Sequence, residues 1–543
     1  MSAHLLRGLA ANPALPDELL DRLIGRLADG PLARASSLQG AAPATGPDED
    51  EDDEDEHDED EHDEELGPAL SERTDLGPAR TAALAACDEG AALQLAYAGL
   101  LDAAEVDAVA RPAVALALLG EGLGPPDWAR LLAARPDREV RRRLASGPGL
   151  PLDVVERLAA DPDVEVVAEL ALWTTEPSVA ARLAAHPHAE VRRGAASNEA
   201  TPPTALAALI TGEGTAPAAS CLVCEHEEIP FTHDPYCSRT DCDLRGGAAC
   251  AGGHESTLHE ILQQAARNPA TPVAAAASLT GHPSMLIRWA LAERADLSQE
   301  SYARLAADPV PAVRSEVAGN PAVGEPLIRA LAAGGADGIA ADLAGNPRVP
   351  LDVLAHLAAV TRLGPVLLPR IASASPAELA DAAASPDARV RRLVAERRYL
   401  APELRDALAA DPDASVVNAV APHPGLPDAL LRAMVARHGV RVLARVAANP
   451  DAPPALLEEL ARHDPPVRRA FRAIAVHPHA TAAALLACLD DRRARPLAAR
   501  HPAMAPEVLV GLLTDDDHEV ARAAAANPAL PVGVMAGLLT GGP

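Results

Sequence analysis

The sequence predicts an all-α fold, a solenoid of short two-helix repeats. Three observations carry that expectation. A phrase of the form apolar, Arg, a few residues, Ala, x, Asn or His, Pro recurs about every 26 residues, most plainly as VRSEVAGNP (Val313 to Pro321), VRVLARVAANP (Val440 to Pro450) and EVARAAAANP (Glu519 to Pro528). Prolines stand where one helix must stop and the next begin. Aromatic residues make up 2% of the 543 residues, too few for a conventional deep core, whereas Ala, Leu and Val suit thin layers that pack only on their neighbours.

The apolar anchor eight residues before the proline, or its equivalent in worn units, falls at Leu5, Val140, Val166, Val191, Ile261, Ile287, Val313, Ile339, Val390, Val416, Val442, Ala470, Ala494 and Val520. The residue before a proline disfavours α geometry, so the first helix stops at Asn or His. A second proline three residues on, as in NPALPDELL, NPRVPLDVL and NPALPVGVM, suits the first turn of the second helix. Leucines spaced by three and four on that helix, such as Leu456, Leu457 and Leu460, give it one apolar stripe.

Arginines recur at or near the position after the anchor: Arg141, Arg192, Arg288, Arg314, Arg391 and Arg468. They should stack as a ladder, paired with repeat aspartates such as Asp137, Asp387 and Asp464, or offer a binding surface to an acidic partner. Histidines in His186-Pro, His282-Pro, His423-Pro, His477-Pro and His501-Pro read as replacements for the turn Asn.

Two segments break the period. Residues 28–82 are rich in Gly, Pro and charge, with sixteen of the eighteen residues from Asp48 to Glu65 acidic, and read as a disordered acidic linker. Residues 83–127 read as degenerate helical repeats. The second break, 212–257, holds Cys221, Cys224, Cys237, Cys242 and Cys250, with His226, His233, His254 and His259 nearby. A C-x-x-C pair lets two thiolates grip one ion from a tight turn, and groups across a loop complete four ligands. Four of the five cysteines, with His254 as a possible substitute, would hold Zn2+ or a [4Fe–4S] cluster; the polar, His-rich surroundings favour zinc. Residues 1–27 read as an N-terminal repeat or cap, and 128–211 and 258–543 as the regular repeats. Cys87 and Cys488 sit in Ala-rich helices and read as buried small residues.

The pattern VRxxvAxNPxxPxxxLxxLAxDPxxxVR resembles the leucine-rich repeat variant family, a HEAT-like α-solenoid, over residues 1–27 and 128–543. The resemblance implies alternating α and 3-10 helices in a right-handed superhelix. Members are linked to an iron–sulfur cluster, which tips the expectation for the cysteine module toward [4Fe–4S].

The net charge is −31, and an acidic surface repels phosphate backbones at long range, so a HEAT-like nucleic-acid binder is the weaker reading. Only Trp128, Trp173 and Trp289 offer large stacking platforms. No apolar stretch long enough to span a membrane and no signal-peptide pattern is seen, and the chain reads as cytoplasmic and, from its missing lysines, as bacterial. P-loop, nucleophile-elbow, H-E-x-x-H and G-x-G-x-x-G patterns are absent, so the expectation is a non-enzymatic scaffold that binds a protein or peptide and carries a metal centre. The alternative is a redox-active [4Fe–4S] protein whose solenoid docks an electron-transfer partner.

Overall fold

The computed structural model describes residues 3–29, 66–222, 255–334 and 338–540. Among these residues every regular element is helical, and the single β contact is a parallel bridge between His188 and Ser220. No helix among them is long and apolar enough to cross a membrane. The chain divides into two compact units, one made of Met1–Val106 with Ala377–Pro543 and the other of Asp107–Pro376.

Each repeat is built as its sequence dictates. In one of them the helix Pro311–Gly319 buries Val313, Val317 and Ala318, Asn320 turns into extended backbone, and Glu325–Ala333 opens with a proline in its first turn. Both members of a repeat are α-helices. The 3-10 second helix implied by the family resemblance is not the rule here: the only 3-10 helix among the described residues is Ala103–Glu105. A leucine stripe of the Leu456, Leu457, Leu460 kind extends for two turns, enough for the i→i−4 bonds of an α-helix to form and be held by packing.

First helices stack on first helices. In the Asp107–Pro376 unit the order is Arg138–Ala145, Val164–Trp173, Ala189–Ser197, Glu255–Arg267, Met285–Glu293, Pro311–Gly319 and Ala340–Gly345. Glycine permits the closest of these approaches: a β-carbon at Gly194 would lie 2.5 Å from Ala168 O. In the other unit the order is Ala388–Ala395, Ala414–Val420, Val440–Ala447, Arg468–Ala475, Arg495–Arg500, His518–Ala525, and then Ala3–Ala10. Residues 1–27 thus continue the stack from its C-terminal repeat. Gly8, at the same repeat position as Gly194, lets Ala3–Ala10 lie against Arg522 O, where a β-carbon would be 2.4 Å away.

Two expected boundaries move. Residues 66–82, placed above in the disordered linker, form the helix Leu66–Ser71 and the start of Gly77–Cys87, with Leu66, Leu70 and Leu76 buried. Those leucines are spaced to fill a repeat although the Asn-Pro mark is missing. The stretch 83–127 is helical but divides between the two units at Val106. The acidic run Asp48–Glu65 lies outside the described residues.

Candidate functional site: the repeat turns and the mouth of the insertion

Within each unit the turn asparagines form a polar ladder. Asn320 donates from Nδ2 to Ala292 O at 2.6 Å and Arg294 O at 2.7 Å in the preceding repeat, while its Oδ1 accepts the Ala322 N–H at 2.8 Å. One side chain therefore satisfies two carbonyls at the frayed end of a neighbouring helix and one amide in its own turn. Asn346 and Asn449 repeat the geometry. Asn268 reaches back 70 residues to Asn198 O at 3.0 Å and to Ala196 O at 2.9 Å, so the ladder crosses the insertion without losing register. Asn12 likewise bonds Ala525 O and Asn527 O, joining the first repeat to the last.

Two rungs are arginines. Arg294 donates to Ala266 O, Asn268 O and Thr271 O and pairs with Asp296; Arg73 donates to Ala10 O and Asn12 O and pairs with Asp75. The signal was present as E-R-x-D-L at 72–76 and 293–297. Three rungs are histidines. His477 Nε2 lies 2.7 Å from Asn449 O and its Nδ1 accepts the His479 N–H at 3.0 Å, which fixes the neutral tautomer with the proton on Nε2. His501 continues the pattern to His477 O at 3.0 Å. His423 is buried, and that burial, reinforced by Arg398, Arg405 and Arg445, pushes its pKa down to about 4.

His186 and His282 are a different class. They precede the first helix, where other repeats have Asp161, Asp308, Asp411 and Asp515, and each accepts the N–H two residues on through Nδ1. The aspartates do the same and also latch an arginine 20 residues earlier. Arg141 meets Asp161 at 2.7 and 3.1 Å, Arg288 meets Asp308 at 2.6 and 3.1 Å, and Arg391 meets Asp411 at 2.7 and 2.9 Å. The third guanidinium nitrogen of each, Nη1, closes on two carbonyls of its own turn, as Arg141 does on Arg135 O and Pro136 O.

The candidate arginines separate accordingly. Arg141, Arg288 and Arg391 are largely buried and paired across repeats, and the aspartate holds the Arg141 and Arg391 pKa values above their ordinary range. Arg192 is buried and bonds His186 O, with burial lowering its pKa; Arg314 bonds Asp308 O and Pro309 O. Arg468 is not in the series: it lies two residues before its anchor, 85% exposed, 4.0 Å from Asp491. In its repeat the position after the anchor is Phe471, and the next repeat resumes the series with Arg495, which pairs with Asp515 at 2.6 Å. Asp137 and Asp387, expected as partners, instead cap helices by accepting the Glu139 and Arg389 N–H groups.

At the mouth of the insertion, Ala219 N–H bonds Pro187 O at 2.8 Å and Ala189 N–H bonds Ser220 O at 2.9 Å. This parallel contact seats Cys221 among Ala189, Ala196, Ile261 and Ala265, with 1% of its surface exposed. Cys224, Cys237, Cys242, Cys250 and His254 lie outside the described residues, so the structure places one of the candidate ligands and does not bring the set together. His259 bonds Ser284 Oγ at 2.5 Å. Cys488 is buried with its Sγ on Ala484 O, and burial pushes its thiol up to about 12; Cys87 is half-buried on Leu84 O.

Concavities accompany the stacks. One of about 440 Å³ lies between Leu116, Leu119, Arg143 and Leu150, and one of about 550 Å³ is lined by Arg7, Leu497, Arg500, Glu519 and Arg522. No family model and no curated protein matches the sequence.

Proposed function

We propose that the chain is a non-enzymatic, cytoplasmic scaffold whose repeat surface holds a protein or peptide and whose insertion carries a cysteine-ligated metal centre. The observation that supports it is where the chemistry-bearing side chains go: Asn, His, Arg and Asp at the repeat turns are consumed in rungs, latches and caps. What remains on each unit is the outer surface of its stacked repeats, which suits binding by area. The resemblance to leucine-rich repeat variant proteins points the same way.

For the metal, the donor set fits a thiophilic ion. Cys221 is held in place by backbone bonds on both sides of the His188–Ser220 contact, against the helices Ala189–Ser197 and Glu255–Arg267. Cys224, Cys237, Cys242 and Cys250 supply the remaining thiolates, with His254 in reserve. A bound ion would tie the insertion to the repeat stack, adding folding energy to a segment poor in apolar side chains.

Metal analysis with a visible spectrum on anaerobically purified protein tests this, alongside a Cys221→Ser/Cys224→Ser variant. About four irons with a brown colour bleached by dithionite and lost in the variant would mean [4Fe–4S], and would favour a redox partner for the scaffold. A single zinc without colour would make the module structural. No metal in the wild-type protein removes the metal half of the reading, and repeated failure of the immobilised chain to capture any partner removes the scaffold half.

A further inference from the structure

The two units carry different charge on equivalent helices. In the Asp107–Pro376 unit the seven stacked first helices contain nine arginines and nine carboxylates. Several are matched across neighbouring repeats, as Arg142 is with Glu169 at 3.5 Å and Arg267 with Glu293 at 2.6 Å. In the other unit the stacked helices carry arginine almost without carboxylates of their own, and the partners of Arg389, Arg391, Arg392, Arg468 and Arg495 come from the flanking turns. Three arginines lie in Ala388–Ala395, two in Val440–Ala447, three in Arg468–Ala475, two in Arg495–Arg500, and one each in His518–Ala525 and Ala3–Ala10, twelve in all. The one carboxylate within the seven helices is Glu519, and Arg522 takes it at 2.6 Å.

Coding bias toward arginine acts on both units and does not explain an imbalance in one. Nor does stability: only Arg391 and Arg495 of the twelve serve the latches. Arg389, Arg441, Arg469 and Arg493 occupy the same place, one residue before the anchor of their repeats, and all four are exposed. Successive first helices pack side by side, so these residues form a row, interrupted at Ser415 in the Val416 repeat and followed by Glu519 in the Val520 repeat. The row ends at the 550 Å³ concavity, where Arg500, Arg522 and Arg7 line the wall beside Leu497, together with Glu72 and Glu519.

We infer that this face binds an acidic polypeptide segment of a partner protein. A guanidinium matches a carboxylate in a planar, two-toothed contact, and a row of them suits a run of Asp and Glu better than isolated charges. A phosphate backbone would also meet the arginines, but three features favour a peptide. Val440, Val476 and Leu497 stand exposed beside the arginines and give a peptide's apolar side chains something to cover. The chain's net charge of −31 repels a long polyanion beyond the row itself. Arg392 lies 3.6 Å from Glu396, and carboxylates such as Asp387 and Asp464 flank the helices, so the attraction is local rather than a broad field.

This inference rests on the scaffold reading and names its partner's chemistry. The test is fluorescence anisotropy of a labelled oligoglutamate peptide, and of duplex DNA of equal charge, titrated with the full chain. A second full chain with the Asp48–Glu65 carboxylates replaced by Ser and Gly removes self-competition. The expected result is salt-sensitive peptide binding to one or both chains, weakened about tenfold by Arg441→Gln/Arg469→Gln/Arg493→Gln and unchanged by Arg138→Gln in the other unit. Hydrogen exchange of the triple variant confirms its fold. Absence of peptide binding to both chains, indifference to the triple substitution, or preference for DNA would overturn the inference. A lysate partner held equally by the triple variant would leave the scaffold reading standing while this one falls.

Discussion

The two units share one internal frame and differ in which side chains complete it. In the Asp107–Pro376 unit the rungs are Asn198, Asn268, Arg294, Asn320 and Asn346; in the other they include His423, Asn449, His477, His501, Asn527, Asn12 and Arg73. A rung must donate to a carbonyl of the neighbouring repeat, and Asn and most His rungs also accept an amide of their own turn. Asn does both at every pH, and His only while neutral. The lesson is that the frame constrains hydrogen-bonding roles more than residue identity, and that a change of rung alters how the unit responds to acid.

The largest effect is expected where a latch is cut, and it should be equal in both units. Asp308→Ala and Asp411→Ala each leave a largely buried guanidinium without its carboxylate, at a cost of about 3 kcal/mol. Urea unfolding measures this. A loss in one unit and none in the other would break the claim of a shared frame. Next come the rungs: Asn320→Ala and Asn449→Ala each strand two carbonyls and an amide, for about 2 to 3 kcal/mol. Relief by histidine at Asn449 at pH 7, but not at pH 5, would sharpen the equivalence of the two residues.

Acid then separates the repeats of 414–477 from those of 285–346; His186, elsewhere in the Asp107–Pro376 unit, also has its pKa lowered by burial. Unfolded, an imidazole takes up a proton near its ordinary 6.5, whereas burial holds folded His423 neutral to about 4. Between those values the unfolded chain binds the extra proton, so stability falls as pH falls, by about 2 kcal/mol from pH 7 to pH 5 for this residue. His477 adds to it, its pKa also lowered by burial. Hydrogen exchange corrected for intrinsic rate should show amides of 414–477 losing protection at pH 5 while those of 285–346 keep theirs. Equal loss in both would rule out the histidine rungs as the cause.

Much of the frame was legible in the sequence because it repeats. Asn-Pro fixed the place of the rung, and its recurrence gave the helix boundaries. What escaped was whatever departed from the printed motif while keeping the role. Arg73 and Arg294 replace Asn with a longer donor and leave no Asn-Pro to find, and so 66–82 read as linker although its leucines are buried. His186 and His282 share the His-Pro dipeptide with His477, yet stand on the aspartate side of the repeat, which only the anchor count reveals. The latch partner lies 20 residues on from the arginine, close in space but beyond any local window. Of the cysteines read in the sequence as candidate ligands, only Cys221 falls within the described residues.

The smallest effect is expected at the exposed ion pairs of the Asp107–Pro376 unit, and it bears on why the arginine row exists. Arg182 meets Glu156 at 2.6 Å across a repeat boundary, but both side chains are about half exposed. Water and salt screen such a pair, and ordering two long side chains offsets what attraction remains. A double-mutant cycle of Arg182→Ala and Glu156→Ala should show no measurable coupling in urea unfolding at physiological salt. If such pairs are worth nothing to stability, the near-absence of carboxylates from the other unit's stacked first helices costs that unit nothing, although exposed pairs such as Arg432–Glu459 join its second helices. A coupling as large as that of a latch would instead mean that neutralisation holds the Asp107–Pro376 stack together, and the arginine row would then be a structural weakness needing its own compensation.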